Sequence, residues 1–414
     1  MNNRFKHIKK TALLSALLLE ISTGAQAATI HVDNSSCTLA DAIESANSDT
    51  ATGGCIAGDV GADVIELPNN ANIVLTSVLT AIISDITLNA NGSTIKRDQT
   101  APKFTVLRLA GSGGTNLTVN DATISGGQST SYGNRGGGIY ASSGNLTINR
   151  SQITGNMGSG VSLVSTNVTI NDSVISNNQG LPRAYYGAAG LFVIDSNLSL
   201  NNSTIANNTN QHFAQGGGIV LGYASTASIT NSTISGNSTE SGAGGIHVYS
   251  NGSIFNTTVE LYQVTLTNNS TLENGGAIYN DGADVTITQS LITGNFAGNA
   301  VDEILNGGTF TSNGYNLIGL NGYSSSVFID LDFSDEVITE SNLSDVLNPI
   351  LADNGGPTPT HTLNPNGPAV DFVPPGSCHS LTDQTGKTRP IGSGCDVGAF
   401  EFEYTDVIFK DGFD

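Results

Sequence analysis

The chain has 414 residues, 35 acidic against 14 basic, giving a formal net charge of −21 at neutral pH. It contains 50 Gly, 4 Cys and no Trp, and 38% of it is hydrophobic. Such a charge excludes nucleic acid and anionic lipid as partners by like-charge repulsion, and admits a polyanionic substrate only where a cation intervenes.

Arg4, Lys6, Lys9 and Lys10 form a basic start, Leu13 to Leu19 an apolar stretch, and Ala25-Gln26-Ala27 a small-x-small cleavage site. Residues 1–27 therefore read as a signal peptide. The apolar stretch is too short to span a bilayer and no later one is longer, so the expectation is a secreted or cell-surface protein with no transmembrane segment. A retained N-terminal anchor is the competing reading. From Ala28 onward the chain keeps 10 basic residues against 34 acidic, with no Lys or Arg between Ala184 and Gly386.

Residues 28–62 read as an N-terminal cap, with a helical start at Leu39-Ala40-Asp41-Ala42-Ile43. The four cysteines fall in two local pairs, Cys37 with Cys55 and Cys378 with Cys395. Beyond a signal peptide, this pattern suggests one disulfide in each terminal region. Free thiols are the alternative.

Residues 63–320 carry an internal repeat. Ile124, Ile153, Ile175, Ile205, Ile234, Leu266 and Ile292 recur at intervals of 22 to 32 residues. Aliphatic residues stand five and seven positions earlier in each copy (Ala227 in one), as in Leu146 and Ile148, alternating with polar ones in the period-2 pattern of a strand with one buried face. Ser stands two positions before the central residue in five copies, and Asn stands three positions after it in six, from Asn156 to Asn295. A third strand is announced by a small residue before an aliphatic one, as in Gly138-Ile139, Gly160-Val161 and finally Ala300-Val301. Three strands per copy with corners between them describe a triangular coil. Stacked coils make an all-β, right-handed parallel β-helix of about nine or ten turns. The Asn series is expected to form a ladder inside one corner, and the Ser series to satisfy buried amides. Outward Thr and Asn form a flat face for solvent, ice or a polysaccharide. Residues 321–348 read as an acidic connection, 349–402 as a C-terminal cap and 403–414 as a tail, either a sorting signal or an ordered end.

Three segments carry a resemblance. CTLADAIESANS…GGC (37–55) with DVIELP (63–68) resembles the CSLREA module that precedes secreted bacterial β-helices, with Thr38 and Ala40-Asp41 departing from its wording. GGGIY (136–140) and GGAIY (275–279) resemble the polymorphic outer-membrane protein repeat, with Ile or Leu where that family has Phe. NPILADNGGPTPTHTL (348–363), GPAVD (367–371), TDQTGKTRP (382–390) and CDVGAFE (395–401) resemble the choice-of-anchor Q domain, with Thr385 in place of a common basic residue. The resemblance implies a pectin lyase-like solenoid, extracellular or surface-attached, with no single catalytic reaction attached to the family.

The residues themselves carry no catalytic motif. Asp172, Asp195, Asp281, Asp284 and Asp302 lie in different copies, without the close pair that glycoside hydrolysis needs. The loops between each corner Asn and the next strand vary in length and emerge on one edge. That edge carries the candidate ligand-binding residues Tyr132, Arg135, Arg183, Tyr185, Tyr186, His212 and Phe213, together with Glu240 and Glu273. Aromatic rings beside Arg suit sugar stacking and carboxylate pairing. His31, His212, His247, His361 and His379 show no metal-ligand spacing. Asp330, Asp332, Asp335 and Glu336 form a cluster able to hold Ca²⁺ weakly, against the alternative of a solvated acidic loop. No other cofactor is expected. The preferred reading is an adhesin-like protein that presents a rod to a polysaccharide or cell-surface glycan. The alternative is a polysaccharide lyase or glycoside hydrolase working at the loop edge, with Arg135, Arg183 and His212 as its candidates.

Overall fold

The computed structural model of the protein describes residues 27–129, 136–181, 187–211, 215–250, 256–273, 275–298, 300–320 and 331–403. Each copy folds into short strands separated by sharp corners, and each strand lies parallel to its counterpart in the next copy. The expected register holds. Ile124, Ile153, Ile175, Ile205, Ile234, Leu266 and Ile292 pair in series. Val119, Ile148, Ile170, Leu200, Ile229, Leu261 and Ile287 do the same. All fourteen side chains are 0% exposed. A one-residue slip would turn each aliphatic stack outward, and every fully buried Ile or Leu contributes about 1.5–3 kcal/mol, so the core fixes the register.

The strands bearing the central Ile form an 11-stranded sheet from Asn72–Leu75 to Glu336–Val337. It exceeds the expected nine or ten turns because Glu336–Val337 adds a rung on Leu317–Ile318. The other two strand rows merge into a 17-stranded sheet, since Ile139–Asn149 and Val161–Asn171 run through the corner between them. One expected element is displaced. Ile304, not Val301, continues the third-strand stack by pairing with Ile278. Ala300–Val301 instead folds antiparallel onto Phe296–Ala297, which brings Glu303 to the last corner.

Polar ladders run beside the aliphatic ones. Asn156, Asn178, Asn208, Asn237, Asn269 and Asn295 are buried in one corner, each Nδ2 donating to the next Oδ1 at 2.9–3.0 Å. Asn295 Nδ2 donates to Glu303 Oε2 at 2.6 Å. Two outer ladders run the opposite way, from Asn197 through Asn167, Asn145 and Asn116 to Asp85, and from Asn201 through Asn171, Asn149, Asn120 and Asn89 to Glu66. Each ladder thus ends on an Asp or Glu side chain, whose oxygen accepts its final N–H. The Ser series behaves as expected: Ser151, Ser173, Ser203 and Ser232 each accept a backbone N–H from the coil before and donate to a carbonyl in their own.

At the N-terminal end, Leu39–Ser48 forms a helix opened by a Thr38–Asp41 capping box. It packs Leu39, Ala42, Ile43 and Ala46 into the main core, which covers an otherwise open strand edge. Cys37–Cys55 and Cys378–Cys395 are disulfide-bonded. The segment 349–402, expected to close the far end, folds back as a strap along the outside of the 11-stranded sheet. Thr358 Oγ1 donates to the Asn202 carbonyl, Thr233 Oγ1 to Gln384 Oε1, and the Ala399 N–H to Thr265 Oγ1. Hence Thr204–Ala206, Thr233–Ser235, Thr265–Thr267 and Leu291–Thr293 are buried on both faces, whereas Thr123–Ser125 and Val174–Ser176 bury only the inner residue.

Candidate functional site

The coil presents three kinds of outer surface. One carries the outer Asn ladders with Thr118, Thr147 and Thr169 between them, half-exposed and neutral. A second lies under the strap. The third is the face on which the third-strand row points outward in the series Arg108, Tyr140, Ser162, Phe192, Val220, His247, Tyr279, next to the described ends of the variable loops. Tyr132, Arg135, Arg183, Tyr185, Tyr186, His212 and Phe213, the candidates on this edge, all lie outside the described residues.

The middle of the third surface is apolar. Phe192 and Val220 are 0% exposed and cluster with Ala188 and Tyr249, apart from the main core. His247 continues the series. Its Nδ1 donates to the Gln215 carbonyl at 2.7 Å, and its ring stacks on Tyr279 at 4.7 Å between centroids. Burial pushes its pKa down to about 4, so the ring is neutral, and its Nε2 lone pair has no hydrogen-bond partner among the described residues. On the neighbouring corner, Ser241 Oγ donates to Glu273 Oε2 at 2.7 Å, with Glu240 on the adjacent rung.

A cleft of about 370 Å³ opens at the N-terminal end of the same series, where the first variable loop begins. Thr76, Ser77, Val78, Pro102, Lys103, Phe104, Thr105, Arg108 and Ser129 line it. The strand Leu107–Leu109 aims Arg108 outward because Leu107 and Leu109 take the core positions on either side. Neither Lys103 nor Arg108 makes an ion pair among the described residues. The other cations of the rod and strap are mostly spent. Arg97 donates to three carbonyls, Arg150 pairs with Asp121, Lys387 with Glu403, and Arg389 with Glu401. Lys103 and Arg108 were missed in the sequence because the repeat fades in these coils, hiding the outward parity of Arg108.

Several of the acidic candidates have structural roles. Asp172 and Asp195 occupy left-handed corners, with φ of 50° and 49°, a conformation that Asp tolerates. Asp284 accepts from Asn256 Nδ2. Asp330 of the acidic cluster lies outside the described residues. Asp335 accepts both N–H groups of Asn316, and Asp332 accepts from Ser334, whose hydrogen bonds lower its pKa. Those lone pairs serve the last corner. Among the described residues, no three His, Cys, Asp or Glu side chains converge as a metal site. The residues of the C-terminal motifs form a buried knot: Arg389 and Glu401 lie 3.3 Å apart, Asp396 accepts from the Asp371 and Phe402 N–H groups, and Asp383 accepts from that of Glu401.

No family model and no curated protein sequence matches the chain. Among solved structures it is similar to that of pectate lyase Pel9A, with 14% identity, a TM-score of 0.51, and coverage of 83% of this chain and 89% of that one. The shared feature is the parallel β-solenoid. At that identity the likeness shows the fold alone, and the terminal-module resemblances rest on their motifs. Among the described residues no helix is long and apolar enough to cross a membrane.

Proposed function

We propose that this protein is an extracellular polysaccharide-processing β-helix, acting at the edge where its variable loops emerge. The observation that carries the reading is an open cleft on that surface lined by two cations, Lys103 and Arg108, that make no ion pair among the described residues. A fold in common with a pectate lyase supports it. Elimination fits the cleft better than hydrolysis. A lyase needs a cation to neutralise a uronate and a base for the proton beside it, whereas a hydrolase needs two carboxyl groups, and among the described residues none lines the cleft. The CSLREA-like and choice-of-anchor Q-like ends belong to this reading as modules of a secreted or surface-held protein.

A second reading, a non-catalytic rod that binds a glycan, is favoured by the described carboxylates of the corners being committed to ladders and turns. Purified protein incubated with pectate, alginate, glycosaminoglycans and neutral glycans, with and without Ca²⁺, separates the two. Unsaturated products absorbing in the ultraviolet identify a lyase, and new reducing ends a hydrolase. Saturable binding without either supports the rod.

A further inference from the structure

We infer that the cleft between Lys103 and Arg108 is a subsite for the carboxylate of an acidic sugar. This deepens the polysaccharide reading and rests on it. The mature chain carries 34 acidic side chains against 10 basic ones, so a random lining would hold several carboxylates for each cation. The cleft reverses that ratio. Among the described residues it holds two cations and no Asp, Glu or His. Its other walls suit a pyranose: Val78, 53% exposed, and Pro102 offer apolar surface to a ring face, while Ser77 supplies a hydroxyl.

The two cations differ in what they supply. Arg108 sits on a strand held between Ile82 and Ile139 of neighbouring rungs, so its guanidinium has a fixed base from which to form a bidentate pair with a carboxylate. Lys103 is exposed, on the segment leading into that strand, and contributes a flexible second charge. A volume of about 370 Å³ is at the scale of a small-ligand pocket, enough for one or two sugar units and too small for a folded partner. A sugar carboxylate and a sugar sulfate ester share the charge. A guanidinium can pair with either, and the fork of its N–H groups matches the two coplanar oxygens of the carboxylate assigned here.

Calorimetric titration of the full-length mature protein with oligogalacturonate, its fully methyl-esterified form and a sulfated oligosaccharide tests the assignment. The expected result is saturable binding of the carboxylate form alone, weakened by salt. Arg108→Gln and Lys103→Gln should each lower affinity about tenfold or more, Arg108→Lys should recover part of the loss, and Arg150→Gln should change nothing. Unaltered melting temperatures establish that the variants fold. Binding that survives both Gln substitutions, or that favours sulfate or ester, overturns the subsite. If the protein binds or cleaves glycans elsewhere while these variants behave as wild type, only the subsite fails. If no glycan is bound or cleaved, the polysaccharide reading fails with it.

Discussion

Asn295 and Glu303 meet at the end of the buried amide ladder, where Asn295 Nδ2 donates to Glu303 Oε2 at 2.6 Å and the Gly294 N–H donates to Oε1 at 2.8 Å. The carboxyl group is fully buried and terminates a chain of amide donors that all point toward it. Replacing it by Leu leaves those N–H groups without acceptors. Glu303→Leu should destabilise the protein by roughly 2 kcal/mol or more, read from urea unfolding, with loss of hydrogen-exchange protection concentrated in the last coils.

Glu303 also sets a pH dependence. Burial raises its pKa from 4.5 to about 8. The native state therefore holds a proton that the unfolded chain releases, and stability should fall as pH rises from about 4.5 to about 8. Above about pH 6.5, where His247 is neutral in both states, urea midpoints should show the decline, and Glu303→Leu should flatten it.

His247 has the opposite sign. Its pKa is pushed from 6.5 down to about 4, so the unfolded chain takes up a proton that the native one refuses. Stability present above pH 6.5 should be lost as pH falls toward 4, by up to roughly 3 kcal/mol. His247→Phe, which keeps a ring against Tyr279, should remove this acid limb in midpoints measured over the same window.

Position within a ladder should decide its worth. Asn208 is 0% exposed and makes four hydrogen bonds, to Asn178, Asn237, and the Asn178 N–H and Ile175 carbonyl of the previous coil. Asn208→Ala should cost about 3 kcal/mol. Asn167, exposed in an outer ladder, competes with water for the same bonds, and Asn167→Ala should cost under about 1 kcal/mol. Thermal unfolding of the two variants makes the comparison.

In the strap, Arg389 is buried among Asp383, Asp396 and Glu401, with its two terminal nitrogens on the Asp396 and Gly398 carbonyls. Arg389→Met strands buried acids without their cation and should destabilise the strap by about 3–5 kcal/mol. Hydrogen exchange should then rise at 358–401 and on the outer face of 204–206 and 233–235, with the aliphatic core still protected.

The repeat was legible because a solenoid writes its core locally. Parity decides which residues face in, and the same parity recurs every coil, so Ile153, Asn156 and Ser151 could be placed by counting alone. Counting failed at Ala300-Val301, because the chain doubles back there and Ile304 takes the core position, with Glu303 in the place that a small residue holds in the other coils. It also failed for 349–402. The motifs there announce a module, but the face on which it docks depends on the Thr and Ser hydroxyls of coils more than a hundred residues earlier. The candidate cleft followed the same division. The sequence determined the fold and the ladders, because each depends on residues one coil apart, and the two local Cys pairs suggested the disulfides that the structure shows. Only the tertiary structure decided that Lys103 and Arg108 share a cleft without carboxylates among the described residues, because Thr76, Ser77, Val78 and Ser129 come to it from different turns of the chain.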